Sequence, residues 1–252
     1  MSVDMNLNLN RTAPVEILES TESTNTYLKA LAAKAPLPDG YAVIALRQTG
    51  GRGRMGRTFS SPLGGLYLSM LLMPDCPPER IPTLTPCVAV AAARAIKRVC
   101  GVTPGIKWPN DLLLSSRKLC GILTESSVAR GKRFAVVGLG INVNTPPDAL
   151  TADARNVAVS LKEHLGREVD LTALSSAVIE ELDAMYSSWR TDPAYCVVEY
   201  RRLCVSIGRA VTLTRAEVSR PAYARDIAPD FALICDIDGK EERITMGEIS
   251  LR

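Results

Sequence analysis

The hydrophobic positions along the chain fall into short runs broken by Gly, Pro, Asn and Asp, with a few stretches of helical spacing between them. "PVEILES" (14–20) reads as a short strand. The polar residues that follow offer Ser23, Thr24 and Asn25 as caps for a helix from about Asn25 to Lys34, with Tyr27, Leu28 and Leu31 as its buried stripe. Pro36 and "PDG" (38–40) end that helix. "YAVIAL" (41–46) is a buried strand, and "GGLYLSMLLM" (64–73) is the next. An alanine-rich helix is expected from Pro86, a good first-turn residue, to about Cys100. "GIKW", "DLLL" and "CGILTES" are strand-like runs broken by turns, and "FAVVGLGINV" (134–143) is a fourth. "NTPPDALTADARN" is a loop. "LTALSSAVIEELDAMYSSWR" (171–190) is the clearest amphipathic helix, with Leu171, Leu174, Val178, Leu182 and Met185 on one face. "DPAYCVVEYRRL" continues as another helix.

From about residue 207 the texture changes. "AVTLT", "FALICDIDG", "ERIT" and "EISLR" are short strands with tight turns, and Asp238-Gly239 is a hairpin signal. Strands with intervening and following helices, then a β module, predict an α+β fold with a mixed, largely antiparallel sheet. The spacing is too irregular for a doubly wound sheet.

Composition narrows the class of protein. The net charge of +3 over 252 residues is too small for a global basic field, so nucleic acid is not expected as a partner. No apolar run approaches a membrane span, and the polar N-terminus lacks the pattern of a secretory signal. Seven cysteines without CxxC spacing indicate free thiols in a reducing compartment, so a cytoplasmic protein without a zinc site is expected. The one histidine, His164, reads as a surface residue near a helix end. Chemistry is therefore expected from Lys, Arg, Asp and backbone groups.

Four stretches carry that chemistry. "TGGRGRMGRTF" (49–59) packs Gly50, Gly51, Gly53 and Gly56 around Arg52, Arg54 and Arg57. It lacks the Walker lysine. "GRGRMG" has Rossmann lettering but is followed by Pro62, Gly64, Gly65 and a strand rather than a helix, so neither nucleotide motif holds. What remains is a loop whose N–H groups and guanidiniums converge on an anion. "IKWPNDLLL" (106–114) sets Asn110 and Asp111 at the mouth of a strand, where they can hydrogen-bond a nucleotide and hold Mg²⁺. "RKLCGILTES" (117–126) has Lys118 before a strand whose Gly121 lets a ligand approach. "VVGLGINVN" (136–144) suits a backbone-lined pocket floor. Taken singly, Lys118 reads more readily as a solvated edge lysine, and "PND" as an ordinary turn.

Together with "STN" (23–25), Gln48 and the terminal "GEISLR" (247–252), these stretches resemble the biotin protein ligase family, in family order over about residues 15–252. The resemblance implies a class II synthetase-like catalytic domain, residues 1–206, and a small C-terminal β-barrel module, residues 207–252. It implies an ATP-dependent ligase that makes biotinyl-5′-AMP and passes the biotinyl group to a lysine of a biotin carboxyl carrier protein or domain. Ser23, Thr24, Asn25 and Gln48 would surround biotin's ring system. Gly51, Arg52, Gly53 and Arg54 would lie over its chain and the developing acyl phosphate, with Gly121 beside them. Lys118 would bridge carboxyl and phosphate, and Asn110, Asn142, Arg252 and Arg57 would meet the nucleotide. Asp111 would orient the attacking lysine and is the candidate Mg²⁺ ligand; Arg54, Lys118 and Asp111 are the catalytic group. The catalytic pattern begins by about residue 15, so a ligase without a helix-turn-helix domain is expected. A homodimer through the sheet edge is left open. Two rivals remain: a lipoyl or octanoyl ligase of the same fold type, and an RNA-binding module with an RG-rich loop. The second lacks the interleaved aromatics that base stacking needs.

Overall fold

A computed structural model describes residues 5, 7, 9–215 and 218–251. Its centre is a seven-stranded sheet. β1 (Val15–Leu18) leads into helix α1 (Thr24–Lys34), then β2 (Ala42–Ala45) and β3 (Leu66–Leu72). Helix α2 (Leu84–Cys100) crosses to β4 (Gly105–Lys107), β5 (Asp111–Leu114), β6 (Arg117–Ala129) and β7 (Lys132–Ile141). The spatial order is β1-β2-β3-β7-β6-β5-β4; β1 and β2 are parallel and the other pairs antiparallel. This is the mixed, largely antiparallel sheet expected.

Side-chain alternation assigns the two faces. Val43, Leu71, Phe134 and Val136 pack with Leu28 and Ala32 of α1 in one cluster. Ala42, Ile44, Leu68, Met70, Val137 and Leu139 point the other way, into the main core beneath α2. After two short helices, α3 (Ala152–Arg155) and α4 (Leu161–Leu165), comes the long α5 (Leu171–Thr191), which packs along α2. Its Leu174, Val178, Leu182 and Met185 are all buried, as their spacing predicts, while Leu171 at the first helical position is only half-buried. Alanines at 89, 91, 92, 93 and 95 keep α2 narrow enough to be enclosed.

Helix α6 (Val197–Leu203) then hands the chain to the second sheet: β8 (Arg209–Arg215), β9 (Val218–Ile227), β10 (Leu233–Ile237), β11 (Lys240–Ile244) and β12 (Glu248–Leu251). Its order is β11-β10-β9-β8-β12, antiparallel throughout. Among the described residues this sheet is open: β11 and β12 stand at opposite edges, where a barrel was expected. Asp238 and Gly239 both take positive φ in the β10–β11 hairpin, which is the type I′ geometry that their sequence signals. The sheet docks on the main body through Trp108 Nε1, which donates to Phe231 O at 2.9 Å, and through the edge-to-face pair Tyr200–Phe231. Core residues of the two sheets belong to one buried cluster.

Three expectations need correction. The buried stripe of α1 runs through Thr24, Asn25, Leu28 and Ala32, with Tyr27 and Leu31 only half-buried, so the helix turns its first-turn polar groups inward. Helix α2 starts at Leu84, two residues before Pro86, because a 3₁₀ turn over Pro78–Thr83 feeds directly into it. Strand β9 was not expected, since Pro221 and its charged neighbours argue against a strand. The proline is tolerated because β9 pairs with β10 only from Tyr223 onward, so at Pro221 it bonds to β8 alone.

Candidate active site

The α1 face of the sheet is not fully covered. Beyond the N-terminus of α1, Gly121 and Leu123 of β6 and Gly138 and Gly140 of β7 floor a cleft of about 1050 Å³, part of it open to solvent. The cleft's far wall, Thr214, Glu248, Ile249 and Ser250, comes from the C-terminal sheet. Ser23, Thr24, Asn25, Gln48, Arg52, Gly53, Arg54, Arg57, Asn110, Asp111, Lys118 and Gly121 all line it. Residues nearly one hundred positions apart thus meet in one place.

At one end the lining is polar and neutral. Ser23 caps α1 by accepting from Thr26 N. Gln48 accepts from Thr24 N at 2.8 Å through Oε1 and donates from Nε2 to Ser61 Oγ at 2.8 Å, which fixes its amide. Asn25 is buried; its Nδ2 donates to Leu123 O and to Glu125 Oε2, and its Oδ1 accepts from Ser69 Oγ at 2.6 Å.

The Gly/Arg loop closes one side as a small hairpin. Phe59 N donates to Gly51 O at 2.8 Å and Gly53 N to Arg57 O at 2.7 Å, with a 3₁₀ turn at Arg54–Gly56 as its tip. Gly51 is buried and does not itself line the cleft. A β-carbon there would come within 2.3 Å of Phe59 O, so glycine is needed for the hairpin to close. The hairpin lays the Phe59 ring on the floor, against Gly140 and Gly121. Arg54 turns inward: Nη1 donates to Asn110 Oδ1 at 3.2 Å and Nη2 to Gly247 O at 3.1 Å. Burial lowers its pKa, and the carboxylates of Glu248 and Asp111 pull it back up. Arg57 meets Glu248 and Arg52 lies 3.9 Å from Glu22, both at the exposed rim.

The opposite side follows Trp108 and the cis peptide at Pro109. Asn110 Nδ2 donates to Ile122 O at 2.9 Å, anchoring the turn to β6. Asp111 is buried at the start of β5, with Lys118 Nζ 2.8 Å from Oδ1 and Lys107 Nζ 3.5 Å from Oδ2. Lys118 reaches the cleft through a β-bulge. The β5–β6 register jumps from Leu112↔Cys120 to Leu113↔Lys118, leaving Leu119 as the extra residue. Strict alternation from Gly121 would send position 118 to the core face; the bulge turns it back to the cleft. Its main chain is clamped by Val157 O, which accepts from Lys118 N at 2.7 Å, and by Val159 N, which donates to Lys118 O at 2.9 Å.

Two other expected residues lie elsewhere. Asn142 is buried behind Lys118, donating to Lys118 O at 3.4 Å, and does not line the cleft; its Oδ1 has no hydrogen-bond partner among the described residues. Arg252 falls outside the described residues. His164 is exposed beside Ser115, away from the cleft. All seven cysteines are free and six are buried. Among the described residues there is no cluster of three His, Cys, Asp or Glu that could hold a metal, and no helix long and apolar enough to cross a membrane. Asp111, with a lysine at each oxygen, is a poor solitary magnesium ligand. The lining residues to which the sequence gave no role include Lys107, which lies within the motif "KWPND", Phe59, whose only signal was being the loop's one aromatic, and Thr214 and Glu248 of the C-terminal sheet.

Comparisons with known proteins agree with this geometry. A family model described as "Biotin/lipoate A/B protein ligase family" matches residues 17–143. The bifunctional ligase/repressor BirA of Bacillus subtilis is 35% identical over 178 residues, covering 70% of this chain and 54% of that protein. The chain thus spans about half the length of that relative. The biotin--[acetyl-CoA-carboxylase] ligase of Mycobacterium tuberculosis is 30% identical over 246 residues, covering 93% of this chain and 88% of its own. A solved structure of the biotin protein ligase from Aquifex aeolicus in complex with biotin and ATP superposes with a TM-score of 0.80 at 24% identity, covering 94% of this chain and 98% of that one. The last likeness establishes a shared fold.

Proposed function

Because the chain belongs to the biotin/lipoate A/B protein ligase family, we propose that it activates biotin with ATP and transfers the biotinyl group to a lysine of a carrier protein or carrier domain. One observation carries the reading: a neutral polar pocket and a cationic centre share a single cleft. Ser23, Thr24, Asn25 and Gln48 supply the first; Arg54, Lys107 and Lys118 supply the second.

The first step joins two anions. A carboxylate oxygen of biotin attacks the α-phosphorus of ATP, the bond to the β-phosphate oxygen breaks, and pyrophosphate leaves. The carboxylate is already ionised at neutral pH, so no base is needed, in keeping with a cleft that contains no histidine. The repulsion between the reactants must instead be offset by fixed positive charge. Lys118 and Arg54 are held for this by Asp111 and Asn110, respectively, before substrate arrives. Such preorganised charge contributes about 3–4 kcal/mol per donor in comparable sites. In the second step the neutral amine of the acceptor lysine attacks the acyl carbon, AMP leaves, and the amine's proton must be taken up. Asp111 is the carboxylate nearest the reacting centre in this reading.

We assign Arg57 to the phosphates, since its own side chain is exposed at the cleft rim and free to exchange Glu248 for a better anion. Asn142, buried behind Lys118 and outside the cleft lining, keeps its role at the nucleotide by family resemblance alone. Arg252 retains its role at the nucleotide by family resemblance alone. The residues do not form a magnesium cage, so the ion is read as arriving with the triphosphate, and neither step above depends on a protein ligand for it. Residues 1–206 are read as the substrate-binding unit, with 207–252 closing the cleft through Gly247 and Glu248. The deciding experiment mixes the protein with ATP, Mg²⁺, a carrier domain and either biotin or lipoate, followed by intact-mass analysis. A biotinyl increment on the carrier is expected. A lipoyl increment without a biotinyl one would overturn the reading in favour of lipoate.

A further inference from the structure

The polar end of the cleft is built over an ion pair that never touches the cleft itself. Lys29 of α1 and Glu125 of β6 are 2.5 Å apart, each with about a quarter of its side chain exposed. Neither belongs to the cleft lining. The second oxygen of Glu125 accepts from Asn25 Nδ2 at 2.8 Å, and Leu123 O, 3.3 Å from the same nitrogen, takes the other amide proton.

An asparagine amide can stand either way round, and the two orientations present opposite chemistry to a ligand. Here one is strongly disfavoured. A flipped Asn25 would point its oxygen at a carboxylate and a carbonyl, three acceptors together with no proton among them. In the observed orientation both amide protons are used, and Oδ1 takes the proton of Ser69, which is fully buried. That oxygen then sits over Gly138, on the cleft floor. The Thr24 hydroxyl lies 2.7 Å from Ser69 Oγ and 3.2 Å from Gln48 Oε1; with the Ser69 proton on Asn25 Oδ1, Thr24 spends its own proton within the pocket wall. Burial pushes the Glu125 carboxyl up, but the hydrogen bonds from Lys29 and Asn25 outweigh it and hold its pKa below the ordinary value.

We infer that Glu125, paired with Lys29, is a positioning residue that fixes the orientation of the Asn25 amide, and through it makes this end of the cleft an array of acceptors for ligand N–H groups. The inference rests on the function proposed above for the identity of that ligand: a cyclic urea headgroup carries two such N–H donors.

Two measurements test it. In steady-state pyrophosphate release, E125Q replaces an obligate acceptor by an amide that can donate, freeing Asn25 to flip. The KM for biotin should rise tenfold or more, while the KM for ATP and the kcat at saturating biotin stay within about twofold of wild type, the size expected for a hydrogen bond to a charged partner. K29M should raise the same KM by less, and the double variant should be no worse than E125Q, because Lys29 acts only through Glu125. Parallel changes in both KM values, or strict multiplication in the double variant, overturn the inference. The second measurement needs no substrate. In ¹⁵N-labelled ligand-free protein, the Asn25 side-chain amide protons should exchange with solvent at least tenfold faster in E125Q than in wild type; equal rates overturn the inference. If wild type makes no biotinyl adenylate, the functional reading falls, and the amide measurement still decides the positioning role.

Discussion

Gly138→Ala is the substitution on which the geometry of the polar pocket makes its firmest demand. Gly138 lies in β7, paired with Ser69 of β3 on one side and Leu123 of β6 on the other. The backbone therefore cannot retreat without opening two ladders. A β-carbon there would fall 2.1 Å from Asn25 Oδ1 and 2.8 Å from its Cγ. Asn25 cannot retreat freely either, since it is held by Ser69, Leu123 O and Glu125. Displacing it forfeits two neutral hydrogen bonds at about 1 kcal/mol each and one to a carboxylate at about 1.5–3 kcal/mol. Burying the added methyl returns about 0.8 kcal/mol. The net loss should lie near 3 kcal/mol, read from urea denaturation, together with loss of biotin binding by titration calorimetry. Gly140→Ala is the control. Its β-carbon would meet Phe59 Cε1 at 2.5 Å, but that ring sits on a half-buried loop and can swing aside for about 1 kcal/mol. The reasoning fails if Gly138→Ala keeps wild-type biotin affinity and stability within about 0.5 kcal/mol, or if Gly140→Ala proves the more damaging of the two.

Lys118→Met should lower the rate of adenylate formation by about 10²–10³-fold and leave the fold intact, because its main-chain bonds to Val157 and Val159 do not involve the side chain; pyrophosphate release and circular dichroism check the two halves. Burial raises the thiol pKa of Cys76, Cys87, Cys100, Cys120, Cys204 and Cys235, and among all seven only Cys76 is not fully buried. Iodoacetamide at mildly alkaline pH should therefore label Cys76 first in the native protein, and peptide mapping that found Cys120 labelled ahead of it would contradict the packing. The depressed pKa of Glu125 gives a stabilising contribution that is present above its ordinary value and is lost as pH falls through the folded-state value. E125Q should thus lose less unfolding free energy than wild type on acidification below about pH 4.5, measured as urea midpoints across that range.

How much of this was legible beforehand depends on the range over which each feature is decided. The cap at Ser23, the buried run of β2, the face of α5 and the Asp238-Gly239 turn are settled within a few residues, and local pattern captured them. The Gly/Arg loop was visible because its unusual composition is itself local, but its hairpin form, closed by Phe59 N to Gly51 O, was not. Strand β9 was lost because the permission for Pro221 comes from where β10 ends, which no local pattern records. The site divides in the same way. Motif letters identified Lys118 and Asn110, but not that Lys107 would share Asp111, nor that Glu125 would stand beneath Asn25 from 100 positions away. Lys118 shows the physical reason most directly. Counting alternate residues back from Gly121 puts its side chain in the hydrophobic core, an untenable place for an unpaired ammonium. One extra residue at Leu119 turns it to the opposite face, beside Asp111. Both readings share the same letters, so the motif specifies the chemistry while the bulge, a property of two strands together, decides whether that chemistry has a place to act.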